Sequence, residues 1–180
     1  MDHLKGKKIA ILSSNGFEES ELFEPKKALE ENGAEVFIVS PEKGKIKAWN
    51  HGNWSKEIEV DVTVDKADAN EYDALVLPGG VINPDKLRRS REAVNFTRRF
   101  FENNKLVASI CHGPQLLIEA EVVRGRTLTS FFSIKKDLQN AGANWIDSEV
   151  VMDGGLITSR NPNDLKAFNQ KLIEELAGQK

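Results

Sequence analysis

Residues 106–115 read LVASICHGPQ, and the fold follows from how that stretch is parsed. The apolar run LVASI fits a strand buried on both faces. Gly113 and Pro114 then end the strand and open a helix, because proline suits the first helical position. Between them stands Cys111, the only cysteine of the chain. The spacing Ser109-x-Cys111-x-Gly113 is a cysteine form of the small-x-nucleophile-x-small elbow. A sharp strand-to-helix turn exposes the nucleophile and brings backbone so close that a small residue must follow. The helix amino end adds partial positive charge, which favours thiolate over thiol. An isolated cysteine would read as an inert core thiol. The strand, His112, Gly113 and Pro114 around this one favour a nucleophile.

Outward from the elbow, strand and helix patterns alternate. Apolar strands are expected at 7–14, 34–41, 72–80 and 105–110, and helices at 19–33, 90–104, 113–122 and 134–142. Pro25 within the first helix would remove a hydrogen bond, unless the helix begins there. Residues 44–65 alternate polar and apolar with turn residues between, which reads as hairpin-like strands. A last helix starts near Asn161 as N-cap, with Pro162 first and Asp164 in the opening turn. This alternation predicts a flavodoxin-like, three-layer α/β/α sandwich with a mostly parallel central sheet, as one domain over residues 1–180. In such sheets, sites form at the carboxyl ends of the strands.

Composition narrows the function classes. The 180 residues are 39% hydrophobic and 29% charged, with a formal net charge of -3. That balance gives no general attraction to nucleic acid or anionic lipid. One cysteine excludes an intrachain disulfide, and no apolar run reaches the ~20 residues of a membrane span. The apolar stretch near the start is too short for a signal peptide, so a cytoplasmic protein is expected. Three histidines and one cysteine show no metal-ligand spacing, and no G-x-G-x-x-G follows the first strand. No cofactor and no metal are expected. Arg88, Arg91, Arg98 and Arg99 share one side of a helix, a solvated or subunit-facing surface rather than a nucleic-acid stripe.

Several longer segments carry a resemblance. NGFEESEL at 15–22, DALVLPGG at 73–80, ASICHGPQLLIEA at 108–120, VVRGRTLTS at 122–130 and the run 141–165 together resemble the PfpI family. Its superfamily also holds the Parkinsonism-associated deglycase and the class I glutamine amidotransferases. The resemblance covers nearly the whole chain.

The resemblance implies roles. Cys111 is the nucleophile, and Glu18, the first acid of FEES, is the carboxylate that reaches its sulfur. Read from the residues alone, Glu18 is equally an exposed acid near a helix amino end. The amides of Gly79, Gly80 and His112 form the oxyanion hole; a glycine pair can also serve backbone geometry alone. Gly113 is the small residue the elbow demands. His112 is oriented by an acid from a neighbouring subunit, and the matching position here is Asp85. The family often has glutamate there, in a loop one residue shorter. Without that contact His112 is a solvent-edge residue and Asp85 a helix-capping acid. Some relatives carry a tyrosine where this chain has Phe131 and Phe132 after Ser130, which implies a more apolar pocket. His51 matches a family His-Gly at the structural or pocket edge.

Three activities fit. The first is stress-linked, cofactor-free hydrolysis of reactive carbonyls or early glycation adducts, as in glyoxalases and deglycases. The second is an intracellular cysteine peptidase using Cys111 and His112. The third is a non-enzymatic stress protein, a redox sensor or holdase, whose cysteine oxidises. A glutamine amidotransferase is disfavoured, because no second histidine and glutamate follow the elbow helix. The expected partners are a small carbonyl or peptide substrate and a second copy of the chain, as a homodimer or higher oligomer.

Overall fold

The computed structural model describes residues 2–179. The chain begins with β1 (Lys8–Leu12), the short β2 (Phe17–Glu18) and α1 (Glu19–Glu31). Next come β3 (Glu35–Ser40), β4 (Lys45–Asn50), β5 (Asn53–Glu59), β6 (Val62–Thr63) and β7 (Ala74–Leu77). Then follow α2 (Ile82–Leu87), α3 (Arg91–Glu102), β8 (Leu106–Ile110) and α4 (Pro114–Glu119). The remainder is β9 (Thr127–Leu128), α5 (Lys135–Asn140), β10 (Asn144–Trp145), β11 (Val151–Asp153), β12 (Leu156–Ser159) and α6 (Leu165–Gly178).

Seven strands form the central sheet in the order β11-β12-β8-β7-β1-β3-β6. All its pairings are parallel except β11 with β12. Residues of β1, β7 and β8 alternate strictly between two cores, as the period-2 pleat requires. Ala10, Leu12, Leu75, Leu77 and Val107 pack with Phe96, Phe100, Leu116 and Leu117 from α3 and α4. Ile9, Ile11, Ala74, Val76, Ala108 and Ile110 pack with Leu22, Leu29, Phe168 and Leu172 from α1 and α6. The α/β/α layering read from the alternation is therefore present, with β7, β8 and β12 buried along their whole length.

Details differ from the sequence reading in instructive ways. Pro25 lies inside α1 and is buried, so the helix does not start there. Lacking an N–H, it leaves the Glu21 carbonyl without its helical donor. The helix after the elbow ends at Glu119, three residues short of expectation. Asn161 caps a short turn at Pro162–Asp164 through its Oδ1, 2.9 Å from the Asn163 amide, and α6 starts at Leu165. Residues 45–59 do form a hairpin, but it joins β2 in a separate three-stranded sheet, β2-β4-β5. Among the described residues no helix is long and apolar enough to cross a membrane.

Candidate active site

β8 ends at the carboxyl edge of the sheet, and Cys111 is the next residue. Its φ is +63°, left-handed for a residue with a Cβ. Such a conformation costs about 1–3 kcal/mol and persists only where surroundings over-determine it. Here the Cys111 amide donates to the Ser159 carbonyl at 3.1 Å, and its carbonyl accepts from the Phe131 amide at 2.9 Å. The elbow is thus tied to β12 on one side and to the loop after β9 on the other. Gly113 supplies space. A Cβ there would lie 2.5 Å from Ser109 Oγ and 2.7 Å from the Leu77 carbonyl. Its own amide is spent on the Ile110 carbonyl at 2.9 Å, so Gly113 donates nothing to a substrate.

The carboxyl group facing the sulfur belongs to Glu21, not to Glu18 as the resemblance suggested. Glu21 is fully buried on the inner stripe of α1, with Leu22, Pro25 and Leu29. Its Oε1 accepts from the Gly79 amide at 2.9 Å, and the carboxyl lies beside the Cys111 thiol. Oε2 is buried and has no further protein partner. Burial, reinforced by the charge of Glu18, pushes Glu21 up to about 8. Glu18 sits just before α1, half-buried on the wall of the same cavity, and its own pKa is raised, chiefly by burial.

Gly79 therefore leaves the oxyanion hole that the sequence placed it in, because its amide holds Glu21. The amides that reach the sulfur are those of Gly80 and His112. Gly80 has φ +83°, and a Cβ there would lie 2.6 Å from the Gly16 carbonyl and 2.7 Å from the Glu18 amide. Burial pushes the Cys111 thiol up, the Glu21 charge adds to that, and the two amides oppose it. The net direction is upward, against the expectation that the helix amino end alone would favour thiolate. Two negative charges are disfavoured in one dry site, so thiolate forms when Glu21 holds the shared proton.

His112 lies along the edge of the elbow. Its Nδ1 is 3.2 Å from Cys111 Sγ and its Nε2 is 3.1 Å from Ser133 Oγ, while its ring stacks on Phe131 at 4.8 Å. Burial lowers its pKa, which favours neutral imidazole. Ser133 was missed by the sequence reading: an exposed loop serine carries no pattern of its own. Ser133→Ala should reduce turnover about three- to tenfold, the net worth of one hydrogen bond. A change below twofold would leave His112 positioned by Phe131 alone. Asp85 is exposed in the first turn of α2 and does not line the cavity.

The cavity measures about 440 Å³ and is walled by Gly16, Trp49, Val81, Ile82, Phe131 and Pro162 around the polar groups described above. That size suits a small substrate or the end of a larger one. The phenylalanine at 131 gives it the apolar wall expected from the missing tyrosine. Among the described residues no group of three or more His, Cys, Asp or Glu side chains is placed to hold a metal ion.

Comparison with known proteins places the chain among relatives. A model described as the DJ-1/PfpI family matches residues 7–175. Deglycase PfpI of Pyrococcus furiosus is 46% identical over 169 residues, which cover 94% of this chain and 99% of that protein. General stress protein 18 of Bacillus subtilis is 44% identical over 169 residues, covering 93% and 96%. A crystal structure from Anabaena variabilis, of a two-domain protein with DJ-1/ThiJ/PfpI-like and ferritin-like domains, superposes with a TM-score of 0.90 at 41% identity. The match takes in 94% of this chain and 48% of that one, so this chain spans about half of the two-domain protein.

Proposed function

The chain belongs to the DJ-1/PfpI family, and from that premise we propose that it is a cysteine-dependent hydrolase of reactive carbonyls and early glycation adducts. The observation that carries this reading is the buried Glu21 carboxyl facing Cys111, with Oε2 unpartnered. A 2-oxoaldehyde reaching the cavity meets the Cys111 thiolate, and a C–S bond forms at the aldehyde carbon. The oxygen that gains charge lies toward the amides of Gly80 and His112, which stabilise it. Glu21 gives its proton to that oxygen, forming the thiohemiacetal, and its carboxylate then carries a proton from that carbon to the neighbouring one, turning the thiohemiacetal into the thioester of a 2-hydroxy acid. Water, activated by His112, cleaves the thioester, releases the acid and restores the thiol. The sum is one oxoaldehyde plus one water to one 2-hydroxy acid, with no outside oxidant. For an early adduct, the amine or thiol leaves as the C–S bond replaces it.

A second reading, a cysteine peptidase, rests on the His112 Nδ1 contact with Cys111 Sγ. Purified protein should be assayed side by side on methylglyoxal, a glycated peptide and unmodified casein, with Cys111→Ser as control. The carbonyl reading expects turnover of the first two only, with residual activity in His112→Ala. Casein cleavage that falls ~10²–10⁴-fold in His112→Ala would favour the peptidase instead.

The same reading includes a homodimer or higher oligomer, with Asp85 of one copy meeting His112 of the next. Val81 and Phe132, 67% and 72% exposed, supply apolar surface at or beside the cavity rim for a second copy to cover. Mixing Cys111→Ser with Asp85→Ala protein should restore activity above either alone after subunit exchange. No gain despite proven exchange would leave Asp85 outside the site.

A further inference from the structure

A second cleft of about 420 Å³ adjoins the catalytic cavity, lined by Asn15, Lys47, Trp54, Ile82 and Lys86. Ile82 lines both spaces. The two are also bridged by an aromatic pair. Trp49 faces the catalytic cavity and Trp54 the second cleft, with their rings edge-to-face at 5.2 Å and 89°. The register of the β4–β5 hairpin slips between Lys47 and Trp49. Such a bulge re-aims side chains, and here Lys47 and Trp49 line different clefts.

The charge in this cleft is unbalanced. Lys47 and Lys86 are both half-buried, and among the described residues neither ammonium makes an ion pair or hydrogen bond. Glu57 stands opposite Lys47 in the hairpin register, but its carboxylate is turned to Lys45 Nζ at 4.0 Å. Among the described residues no carboxylate lines the cleft. Two unpaired cations thus share a concave space in a protein whose net charge is -3. Trp54 is 49% exposed beside them, a large apolar surface with no internal cover. Like charges that face one cleft repel, and an anion between them relieves that repulsion.

We propose that this cleft is a substrate subsite for an anionic group, carboxylate or phosphate, borne by the molecule whose carbonyl is held at Cys111. The linking chain of that molecule crosses Ile82 and packs on Trp54, and the anion lies between Lys47 and Lys86. The inference rests on the carbonyl-adduct reading and deepens it, since it separates anionic adducts from neutral ones of the same reactivity.

Turnover should be measured on the methylglyoxal hemithioacetals of N-acetylcysteine and of its uncharged amide. A second pair, pantetheine 4′-phosphate and pantetheine, tells phosphate from carboxylate. In the wild-type protein kcat/KM should favour the anionic member of at least one pair about fivefold, a size in line with partly exposed ion pairs. The preference should lie in KM, disappear in Lys47→Gln/Lys86→Gln, and reverse in Lys86→Glu, with kcat on the neutral substrates unchanged. A binding arm needs no chemistry. Calorimetry with S-(2-hydroxypropyl)-N-acetylcysteine and its amide should show the same preference in wild type and its loss in the double variant. Turnover without any charge preference, or a preference untouched by the lysine changes, would overturn the subsite. Charge-selective binding without turnover of any adduct would instead keep the subsite and overturn the carbonyl reading.

Discussion

Glu21→Gln should lower turnover of carbonyl adducts by about 10²–10³-fold and, at the same time, make the protein more stable as pH rises. The first effect follows from removing the group that moves the proton. Glutamine can still accept from the Gly79 amide, so the loop is kept. The second effect is a linkage argument. Folded Glu21 holds its proton up to about 8, whereas the unfolded side chain releases it near 4.5. Below pH 4.5 both states are protonated and nothing is lost. Between the two values the unfolded state gains by ionising, so wild-type stability falls as pH rises; above about 8 the loss is complete. The gap between variant and wild type should therefore widen by about 4 kcal/mol from pH 4.5 to 8. At a few degrees per kcal/mol, that is about 10 °C in Tm. Melting curves of both proteins across this range check it. A constant gap would mean that Glu21 is not held protonated by burial. Full activity in Glu21→Gln, with loss in Glu18→Gln, would return the proton carrier to Glu18.

Gly80→Ala should be nearly as damaging to turnover, by about 10²-fold or more, because it displaces a donor aimed at the sulfur. The added Cβ would press on the Gly16 carbonyl and the Glu18 amide, both backbone atoms that cannot swing aside. The loop after β7 must retreat from β2, and the Gly80 amide retreats with it. Gly52→Ala is the internal control. Gly52 has φ +79°, close to that of Gly80, but a Cβ there meets nothing within 4 Å. It should lose only the left-handed torsion cost, about 1–2 kcal/mol, with turnover unchanged. Gly80→Ala should lose about 3 kcal/mol or more, since clash adds to torsion. Chemical denaturation of the two variants separates the contributions. Equal losses would show that the Gly80 neighbours relax and that torsion alone matters there.

The elbow was legible because its demands are local. A left-handed nucleophile, a small residue two positions on, and a proline to start the helix leave a mark within five residues. The layered sheet was legible for a similar reason, since strands buried on both faces must be almost wholly apolar. The acid was harder. Glu18, Glu19 and Glu21 look alike as a charged run, and only packing decides which one turns inward. A signal was present: Glu21 stands four residues before Pro25 and eight before Leu29, on the stripe that α1 buries. Glu18 keeps an equal spacing to Leu22, Pro25 and Leu29, so what separates the two is the start of α1 at Glu19, which leaves Glu18 extended before the helix. The Gly79 amide was misassigned for the same reason, because its partner was not known to be Glu21. Ser133 left no mark, since its contact with His112 depends on how the loop after β9 folds back over the elbow.

The hairpin that carries Trp49, Trp54 and Lys47 belongs to a sheet separate from the one that carries the elbow. Its inner residues, Ile46 and Ala48, are buried in the core with Phe17, while the outer ones border the two clefts. This arrangement divides the molecule for evolution. Mutation can rewrite the outer face of the hairpin, and with it the range of adducts accepted, while the strained cysteine and its buried acid stay as they are. Divergence among copies of such a gene would then accumulate first in the outward-facing residues of 45–59, with the chemistry inherited unchanged.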